Sequence, residues 1–556
     1  MTTRPILVDY ADSPYGQFQC TIKEHGHREF LYVPKSACAS YADDAISYRY
    51  IEAADLVEKL RQSYVAARIG PGHRVALLLE NRPAYFFHWL ALNAAGASVV
   101  PLNPDYRQAE LSFVLQHSEV SLAVVLAHRV DDVSAAVSII GDIPVVNETD
   151  VLAGLPLFEQ RTGAKGRDAE CALLYTSGTT GTPKGCMLSN DYFLRSGLRY
   201  MNRRGYVELE VGASRILTPL PMFHINAMAG SAMGVIFSGG CLIQLDRFHP
   251  TSWWQDVVIT QATGAHCLGV MPALLLNLAP DEHDRAHALR YCTAANVEPQ
   301  HHEAFEQRFG VPLIEGWAMT ETGAGASISA DQEPRHIGQR CFGRVPPNLD
   351  LKLVGEDGQE VCPGEPGEML VRAKGDNPRL GFFSGYLKDA AATEAAWEGG
   401  WWHTGDVARM GLDGSLYFVD RKKNVIRRSG ENISALEIEV VMRRHQSIGE
   451  VAVTSVPDAV RGDEVFAFIK PAAGAIQTPE HAREIVLWLG SQLAYFKAPG
   501  YVVFVDQLPV TSTQKVERGL LKQLAERHVT DGACVDLRDL KSKLRTLVPA
   551  GENLSS

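Results

Sequence analysis

The sequence YTSGTTGTPKG, at residues 175–185, combines Ser and Thr hydroxyls with three glycines, one proline and one lysine. It has almost no apolar surface, so it cannot contribute to a hydrophobic core. It exposes backbone N–H groups, hydroxyls and a positive charge, which are the groups that bind an anion. The stretch is therefore a candidate anion-binding loop.

The loop follows the apolar run CALLY at 171–175, which predicts a strand, and it precedes a helix predicted near residue 190. A glycine-rich loop between a strand and a helix is typical of phosphate binding. The common pattern GxxxxGK[ST] is not matched, because Lys184 follows Gly181 by three positions and is itself followed by Gly185. From the residues alone, a flexible surface turn remains the alternative.

Strand-like and helix-like segments alternate before this loop. Residues 49–70 have apolar side chains at helical spacing, and we expect Gly70 to end that helix in a left-handed conformation. The strand RVALLLE (74–80), the helix PAYFFHWLALNAAG (83–96) and the strand ASVVPL (97–102) follow. Alternation of this kind predicts a parallel sheet that helices cover on both faces.

The alternation resumes after residue 190 and continues to a helix predicted near 298–309. Between about 340 and 420, short strands separated by DG, PG and GG turns predict a β-rich subdomain. The basic segment DRKKNVIRRSGENIS at 420–434 has little potential for burial, and we interpret it as a domain junction. A fresh set of helices and strands follows it.

The predicted fold class is α/β, and the chain is longer than one core usually serves. We expect a large N-terminal domain of α/β sheets at 1–420, which includes the β-rich subdomain at about 340–420. A small α+β C-terminal domain is predicted at 424–530. Residues 531–556 are polar and weakly patterned, so we interpret them as a tail without an assigned function.

Composition restricts the partners and the compartment. A formal net charge of −12 and a pI near 5.9 argue against nucleic-acid binding, which needs concentrated Lys and Arg. Ten cysteines are scattered without a CxxC pair, which favours reduced thiols in a cytoplasmic protein. The start of the chain is too polar for a signal peptide, and polar residues interrupt the longest apolar stretches, so no integral membrane segment is expected.

The loop at 175–185 resembles the phosphate-binding signature of the acyl-activating, AMP-forming (ANL) superfamily. Members include acyl- and aryl-CoA ligases, peptide-synthetase adenylation domains and firefly luciferase. Further motifs follow in family order across residues 45–525, and their overall texture is most similar to crotonobetaine/carnitine-type and medium-chain CoA ligases. The resemblance implies that the C-terminal domain is a mobile lid joined to the N-terminal domain by a hinge at 421–423.

The resemblance implies roles for two motifs beyond the loop. In GWAMTET (316–322), Trp317 would stack on adenine, Thr320 would contact phosphate, and Glu321 would help to hold magnesium. In WWHTGD (401–406), Asp406 would accept hydrogen bonds from both ribose hydroxyls. The implied nucleotide- and CoA-binding residues are Thr176, Ser177, Gly178, Thr179, Thr180, Gly181, Lys184, Trp317, Asp406, Arg421 and Gly430.

Three roles fall in the junction and in the C-terminal domain. Arg421 would contact the ribose, Lys423 would be the hinge residue, and Gly430 would lie beside the pantetheine tunnel. Without the resemblance, such a run of basic residues would more often indicate a solvated face of the protein.

The resemblance also implies a catalytic lysine in LPVTSTQKVERGLL (508–521). Lys515 would enter the active site during adenylation and bind the carboxylate and the α-phosphate region. The family usually has Gly before this lysine, whereas this chain has Gln514, which we expect to stiffen the loop.

Four positions bear on the acid. In PMFHI (221–225), His224 resembles the histidine near the acyl pocket of the family, although a lone histidine there also suits a helix start. Ala294 and Ala295 stand where a Gly-Gly pair is usual, and Ala318 stands where acetate activators have Trp. We therefore expect a short or compact carboxylic acid. Amino-acid activators of the family carry an Asp in this region to hold the α-amine, and the resemblance therefore disfavours an amino acid, because PMFHINAM has no Asp.

The implied reaction joins a carboxylic acid to CoA at the expense of ATP with Mg²⁺, through an acyl-adenylate. Lys515, Thr320, Glu321 and His224 would be the catalytic residues. Two alternatives remain open, namely transfer of the acyl group to a carrier protein or other acceptor, and an inactive nucleotide-binding regulator. A homodimer is compatible with the sequence.

Overall fold

The computed structural model describes residues 10–104, 106, 108–176, 183–268, 271–295, 297–421, 425–428, 431–458, 461–493, 495–510 and 516–547. It confirms the α/β fold class, with mixed sheets and helices in a large N-terminal part and a smaller C-terminal part. The strands are β1 Glu29–Val33, β2 Ile46–Arg49, β3 Arg74–Leu78, β4 Ser98–Pro101, β5 Leu122–Val125, β6 Val145–Asn147, β7 Glu170–Thr176, β8 Lys184–Ser189, β9 Arg215–Thr218, β10 Cys241–Gln244, β11 Gly264–His266, β12 Tyr291–Ala294, β13 Leu313–Ala318, β14 Ser327–Ser329, β15 Cys341–Arg344, β16 Leu349–Val354, β17 Pro366–Ala373, β18 Gly385–Tyr386, β19 Trp402–Met410, β20 Ser415–Arg421, β21 Val425–Arg428, β22 Glu431–Ser434, β23 Ile448–Asp458, β24 Gly462–Pro471, β25 Tyr501–Phe504 and β26 Val535–Asp536.

The α-helices are α1 Pro14–His25, α2 Lys35–Cys38, α3 Tyr50–Ala66, α4 Pro83–Ala95, α5 Gln108–Ser118, α6 Val130–Val137, α7 Asn190–Met201, α8 Met233–Ser238, α9 Trp253–Ile259, α10 Met271–Leu276, α11 Pro299–Phe309, α12 Ala390–Ala396, α13 Ala435–Met442, α14 Pro479–Gln492, α15 Arg518–Thr530 and α16 Arg538–Leu547. A π-helix, Asn226–Ala232, leads directly into α8. No helix among the described residues is both long and apolar enough to cross a bilayer.

Two large sheets form the body of the N-terminal part. The first has the strand order β14-β13-β12-β11-β9-β10-β1-β2, and the second has the order β18-β8-β7-β4-β3-β5-β6. Their central neighbours are parallel, as the alternation of strands and helices predicts. One continuous hydrophobic core contains residues of both sheets and of the helices between them, so α4 is buried almost all round.

The region rich in short strands forms a separate five-stranded sheet with the order β15-β20-β19-β17-β16. The short strand β18 lies within the same stretch of chain but pairs with β8 at the edge of the second large sheet. This departure brings the β-rich region against the end of the candidate anion-binding loop, because β8 begins at Lys184.

The C-terminal part has a six-stranded sheet in which β22, β21, β24, β25 and β26 are neighbours and β23 pairs with β24. Helices α13 to α16 pack with it around their own hydrophobic core. The stretch that we interpreted as a tail contributes β26 and α16, and its Leu537 and Leu544 are buried in that core. These apolar residues escaped notice because polar residues surround them in the sequence.

Two local predictions were wrong. The segment 420–434 does have potential for burial, since it forms the β21–β22 hairpin with Ile426, Arg428 and Ile433 buried. The helix before Gly70 ends earlier, because Arg68 and not Gly70 takes the left-handed conformation, with φ of 67°. The N–H of Ile69 reaches back to the carbonyl of Tyr64 and closes this helix end.

Candidate active site

The candidate site lies where the carboxyl ends of neighbouring strands meet. Strands β11, β12 and β13 are parallel and end at His266, Ala294 and Ala318. Ligands of open α/β sheets usually bind at this edge, because the loops that leave it come from several strands. The strand pair β7–β8 contributes Thr176 and Lys184, which are paired in register on either side of the anion-binding loop.

Trp317 and Asp406 are brought into direct contact. The indole Nε1 of Trp317 donates a hydrogen bond of 2.8 Å to Oδ2 of Asp406, and both side chains are buried. The backbone N–H of Asp406 donates to Oγ1 of Thr404 at 3.0 Å, which fixes the backbone of β19 at Asp406. The pair joins the end of β13 to the β-rich sheet.

A small pocket that is open to solvent lies beside Trp317. Its lining combines aromatic faces with charged groups: Glu315, Gly316, Trp317, Arg340, Phe342 and Phe418. Flat aromatic walls suit a purine ring, and a carboxylate nearby can accept hydrogen bonds from sugar hydroxyls. The residues present therefore fit the adenosine part of a nucleotide.

The turn that follows β13 positions Thr320 and Glu321. The hydroxyl of Thr322 accepts a hydrogen bond of 3.1 Å from the backbone N–H of Met319. The hydroxyl of Tyr192, on α7, donates a bond of 2.7 Å to the carbonyl of Thr320. The Thr322 bond thus stabilises the turn internally, and the Tyr192 bond attaches the turn to α7.

Glu321 is buried and oriented by Tyr386. The hydroxyl of Tyr386 donates a hydrogen bond of 2.8 Å to Oε1 of Glu321. Burial, and then the Glu321 charge, raise the pKa of Tyr386 far above its ordinary value, so the phenol remains a donor. Lys184 lies over the Tyr386 ring, with Nζ 4.7 Å from the ring centre and 3.9 Å from Oδ2 of Asp389.

These contacts assemble one acidic and one basic group around a single phenol. The carboxylate of Glu321 is a hard oxygen ligand that suits Mg²⁺, and Lys184 can face phosphate oxygens. No cluster of three His, Cys, Asp or Glu side chains that could hold a metal occurs in the described ranges. Sequence reasoning missed Tyr386 and Tyr192, because neither belongs to a motif that we singled out.

The predicted acid-binding positions lie nearby on separate elements. His224 is exposed just before the π-helix, and its ring packs against Phe223 at 4.6 Å between centres. Ala294 is buried at the end of β12 and Ala295 is half-buried, whereas Ala318 is exposed at the end of β13. These placements leave their roles in acid binding as predictions.

A buried polar cluster behind the π-helix was not foreseen. The hydroxyl of Tyr200 lies 3.1 Å from Oδ1 of Asn226 and 3.2 Å from Nε2 of His266, and Oγ of Ser231 lies 3.3 Å from the same nitrogen. Burial lowers the pKa of His266 to about 3, so the ring is neutral at physiological pH. A π-helical turn is uncommon and frequently occurs at functional sites.

Several predicted site residues lie outside the described residues. They are Ser177, Gly178, Thr179, Thr180 and Gly181 of the loop, the hinge residue Lys423, Gly430 and Lys515. The backbone of Arg421 is described and pairs in register with Asp406, which places it next to the Trp317–Asp406 contact, but its side chain is outside the description.

Comparison with known proteins identifies the family. The model of the AMP-binding enzyme family matches residues 21–387, and that of the AMP-binding enzyme C-terminal domain matches residues 437–515. The sulfoacetate–CoA ligase of Cupriavidus necator is 31% identical over 472 residues, which cover 83% of this chain and 89% of that protein. The crotonobetaine/carnitine–CoA ligase of Salmonella paratyphi B is 30% identical over 500 residues, which cover 85% of this chain and 93% of that protein.

A solved structure shares the fold. The crystal structure of ATP-bound MatB from Rhodopseudomonas palustris aligns with a TM-score of 0.77 at 24% identity, over 93% of this chain and 99% of that one. The matched family model spans most of the chain and includes Trp317, Glu321 and Tyr386, and the second model covers most of the C-terminal part. The chain therefore belongs to the AMP-binding enzyme family.

Proposed function

We propose that the protein is an ATP-dependent carboxylate–CoA ligase that releases AMP and pyrophosphate and acts on a short or compact acid. The observation that supports this most directly is the contact between Trp317 and Asp406 beside the small open pocket. Four residues beyond Trp317, Glu321 is buried and oriented by Tyr386. Trp317 would thus face the purine of one nucleotide, Asp406 its ribose, and Glu321 the magnesium on its phosphates.

In the first half-reaction, a carboxylate oxygen of the acid attacks the α-phosphorus of ATP, and the bond to pyrophosphate breaks. Negative charge moves to the leaving group, where Lys184 would face it, while Thr320 contacts the α-phosphate. Bound magnesium would supply charge neutralisation, and Glu321 would hold it. Catalysis then consists mainly of positioning and electrostatic stabilisation, so no covalent enzyme intermediate is required.

In the second half-reaction, the thiol of CoA attacks the carbonyl carbon of the acyl-adenylate and AMP leaves. Lys515 would act in the first step, and Gly430 would lie beside pantetheine in the second. Lys515 and Gly430 cannot occupy the same site at the same time, so a rotation about Lys423 would separate the two steps. The domain limits proposed for this movement are 1–420, 421–423 and 424–530, with β26 and α16 moving with the C-terminal domain.

The proposed substrate class follows from two features. Ala294 and Ala295 would reduce the space available where glycines are usual, which favours a compact acid. The buried cluster of Tyr200, Ser231 and His266 offers hydrogen-bonding groups to a polar second function on the acid. Relatives named for sulfoacetate and for crotonobetaine or carnitine act on small acids of this kind.

A panel of acids tests the proposal. Purified protein is mixed with ATP, Mg²⁺ and CoA, and pyrophosphate, AMP and the thioester are measured for compact acids with a polar group, plain short acids and long fatty acids. We expect the compact acids to give AMP and a CoA thioester in equal amounts. A preference for long fatty acids would contradict the proposal that the acid is compact. AMP formation that does not depend on CoA would favour another acyl acceptor.

The catalytic lysine is tested separately. Lys515→Ala should abolish acid-dependent exchange of pyrophosphate into ATP, because the variant lacks the charge that faces the α-phosphate. It should retain most thioester formation from supplied acyl-adenylate, since that step does not need the lysine. Equal loss of both activities contradicts this division of roles.

Location and assembly complete the proposal. We place the protein in the cytoplasm as a homodimer, and seven buried cysteines among ten free ones support a reducing compartment. Cell fractionation tests the location. Light scattering tests the assembly, where a mass near the 60.9 kDa of one chain would exclude the dimer.

A further inference from the structure

Five charged side chains of alternating sign cross from the N-terminal part to the C-terminal part. The sequence of contacts is Arg340, Glu298, Arg443, Glu439 and Arg518. Arg340 lies 3.1 Å from Glu298, Glu298 lies 2.9 Å from Arg443, and Arg443 lies 3.3 Å from Glu439. Nη2 of Arg518 then lies 2.8 Å from Glu439. We call these five residues the interdomain ion chain.

One end of the interdomain ion chain lies at the nucleotide cavity. Arg340 lines the cavity together with Trp317 and Phe342. Its backbone has φ of 56°, a left-handed conformation that costs about 1 kcal/mol or more for a residue with a side chain. The surrounding structure maintains this strain, because the carbonyl of Arg340 accepts a bond of 3.0 Å from the N–H of Phe418.

The other end lies at the start of α15. Arg518 begins α15, three residues after Lys515. Besides its contact with Glu439, Nη1 of Arg518 donates to the carbonyl of Val453 at 2.6 Å. Glu439 is 1% exposed and also accepts a bond of 2.8 Å from the N–H of Val453, so the start of α15 is firmly attached to α13.

Glu298 joins the two parts. It directly precedes α11 in the N-terminal part, and its two carboxylate oxygens are divided between the domains. Oε2 accepts from Arg340 of the N-terminal part, and Oε1 accepts from Arg443 of the C-terminal part. The side chain is 22% exposed, so water screens these bonds less than it screens an ordinary surface pair.

We propose that Glu298 is a positioning residue that holds the C-terminal domain in the orientation used for adenylation, by linking the wall of the nucleotide cavity to Arg518 at the start of α15. This inference rests on the proposed function. The chain of contacts ties the position of α15 to Arg340, which a bound nucleotide would touch. Release of the Glu298–Arg443 bond would let the C-terminal domain leave for the second half-reaction.

Arg443→Gln is the most informative variant, because it breaks the interdomain bond and leaves Glu298 and Arg340 at the cavity. We expect the kcat of acid-dependent ATP–pyrophosphate exchange to fall about tenfold, as for the loss of a partly buried charged hydrogen bond. The KM for ATP should stay close to that of the unchanged protein. Thioester formation from supplied acyl-adenylate should change less than about twofold.

Three companion variants sharpen the kinetic test. Glu298→Gln should give a similar loss of exchange, and combining it with Arg443→Gln should add little, since both remove one link. Arg443→Lys should recover part of the rate, because it retains a cation. Glu394→Gln is the matched control: it breaks a bidentate pair with Arg379 that lies wholly within the N-terminal part and should leave both half-reactions unchanged.

A second readout does not depend on activity. Spin labels at Leu412→Cys and Ile476→Cys, which are 97% and 64% exposed, report the distance between the two parts after Cys20, Cys362 and Cys534 are changed to Ser. We expect a narrow distance distribution in the labelled protein that keeps Glu298 and Arg443, and also in its Glu394→Gln variant. Arg443→Gln and Glu298→Gln should broaden it.

The outcomes separate the two proposals. An unchanged distribution in both charge variants overturns the inference, whether or not the protein makes AMP. A broadened distribution with unchanged exchange overturns the positioning role, and equal loss of both half-reactions does so as well. A protein that never makes AMP would refute the proposed function, while the distances would still show whether Glu298 joins the domains.

Discussion

At the scale of single residues, Asp406 would combine the contact with Trp317 and the proposed contact with ribose in one carboxylate. Asp406 accepts from the indole at 2.8 Å, and it is the group assigned to the ribose hydroxyls. A carboxylate can do both because it offers about four lone-pair positions on two oxygens. The indole N–H therefore orients the carboxylate that would face the sugar.

Asp406→Asn should weaken ATP binding by about 10- to 100-fold, because hydrogen bonds to a charged group contribute about 1.5–3 kcal/mol. Trp317→Phe should have a smaller effect, since it removes only the N–H donor and keeps an aromatic face. Calorimetric titration with ATP or AMP measures both. Unchanged affinity in the Asn variant would exclude a ribose contact at Asp406.

Tyr386→Phe should raise the Mg²⁺ concentration for half-maximal activity by about tenfold, as for the loss of a group that orients a metal ligand. The physical reason is that Glu321 loses the hydroxyl that fixes its Oε1. A magnesium titration of pyrophosphate exchange gives the measurement.

The matched control is Tyr206→Phe, which removes a hydroxyl bonded to Glu333 at 3.0 Å. That pair lies away from the turn after β13, so its loss should not alter the magnesium response. A similar shift in both variants would mean that Tyr386 has no special role toward Glu321.

At the scale of elements, the turn after β13 determines where Thr320 and Glu321 lie. Gly323 has φ of 49°, and a Cβ there would lie 2.3 Å from the ring of Tyr192. The same tyrosine donates to the carbonyl of Thr320. Close approach of turn and helix therefore depends on the missing side chain at Gly323.

Gly323→Ala should lower both the melting temperature and the affinity for ATP, because the turn must move away from Tyr192. Gly358→Ala is the control, since Gly358 also has a positive φ, of 74°, but faces open space. The control should lose only the backbone contribution of about 1–2 kcal/mol and no ATP affinity. Equal effects of the two substitutions on ATP binding would contradict the role of close packing.

At the scale of the whole molecule, α16 is anchored beneath the sheet of the C-terminal part. Nζ of Lys541 lies 2.5 Å from Oε1 of Glu464, and Arg428 of the β21–β22 hairpin donates to Oε2 at 2.9 Å. Lys541 and Glu464 are both fully buried. The last helix is thus linked through one carboxylate to the strand that precedes Gly430.

Lys541→Met should destabilise the C-terminal part by about 3–5 kcal/mol, as expected when one partner of a buried pair is removed. Burial lowers the pKa of Lys541 to about 8, although Glu464 opposes this shift. Between about pH 8 and the ordinary value of 10.5, the unfolded chain binds this proton and the folded chain does not. The free energy of unfolding contributed by Lys541 should therefore rise with pH in that window.

Urea unfolding followed by hydrogen-exchange labelling of β24 measures this difference at pH 8 and pH 10. Lys470→Met is the control, because Lys470 lies on the same strand in an exposed pair with Glu450. The pH response should disappear in Lys541→Met and persist in the control. A response that is the same in all three proteins would contradict the assignment to Lys541.

Sequence alone was sufficient for the features that depend on local pattern. Helices such as α4 and α11 lie within a few residues of their predicted limits, because apolar periodicity and flanking Gly and Pro act over short distances. The family resemblance and the fold class were confirmed, since the motifs that define them are contiguous in the chain. The composition and order of the strands also indicated a separate C-terminal part.

Contacts between distant segments were decided only by the tertiary structure. Tyr386 reaches Glu321 because β18 leaves its own region to pair with β8, and no pattern near Tyr386 indicates that. Arg428 belongs to a basic run that is more often a solvated face, and Lys541 belongs to the stretch interpreted as a tail. Both are buried because Glu464 lies between them. A charged side chain is exposed or buried according to whether a partner compensates the loss of water, and that partner is 36 residues away in one case and 77 in the other.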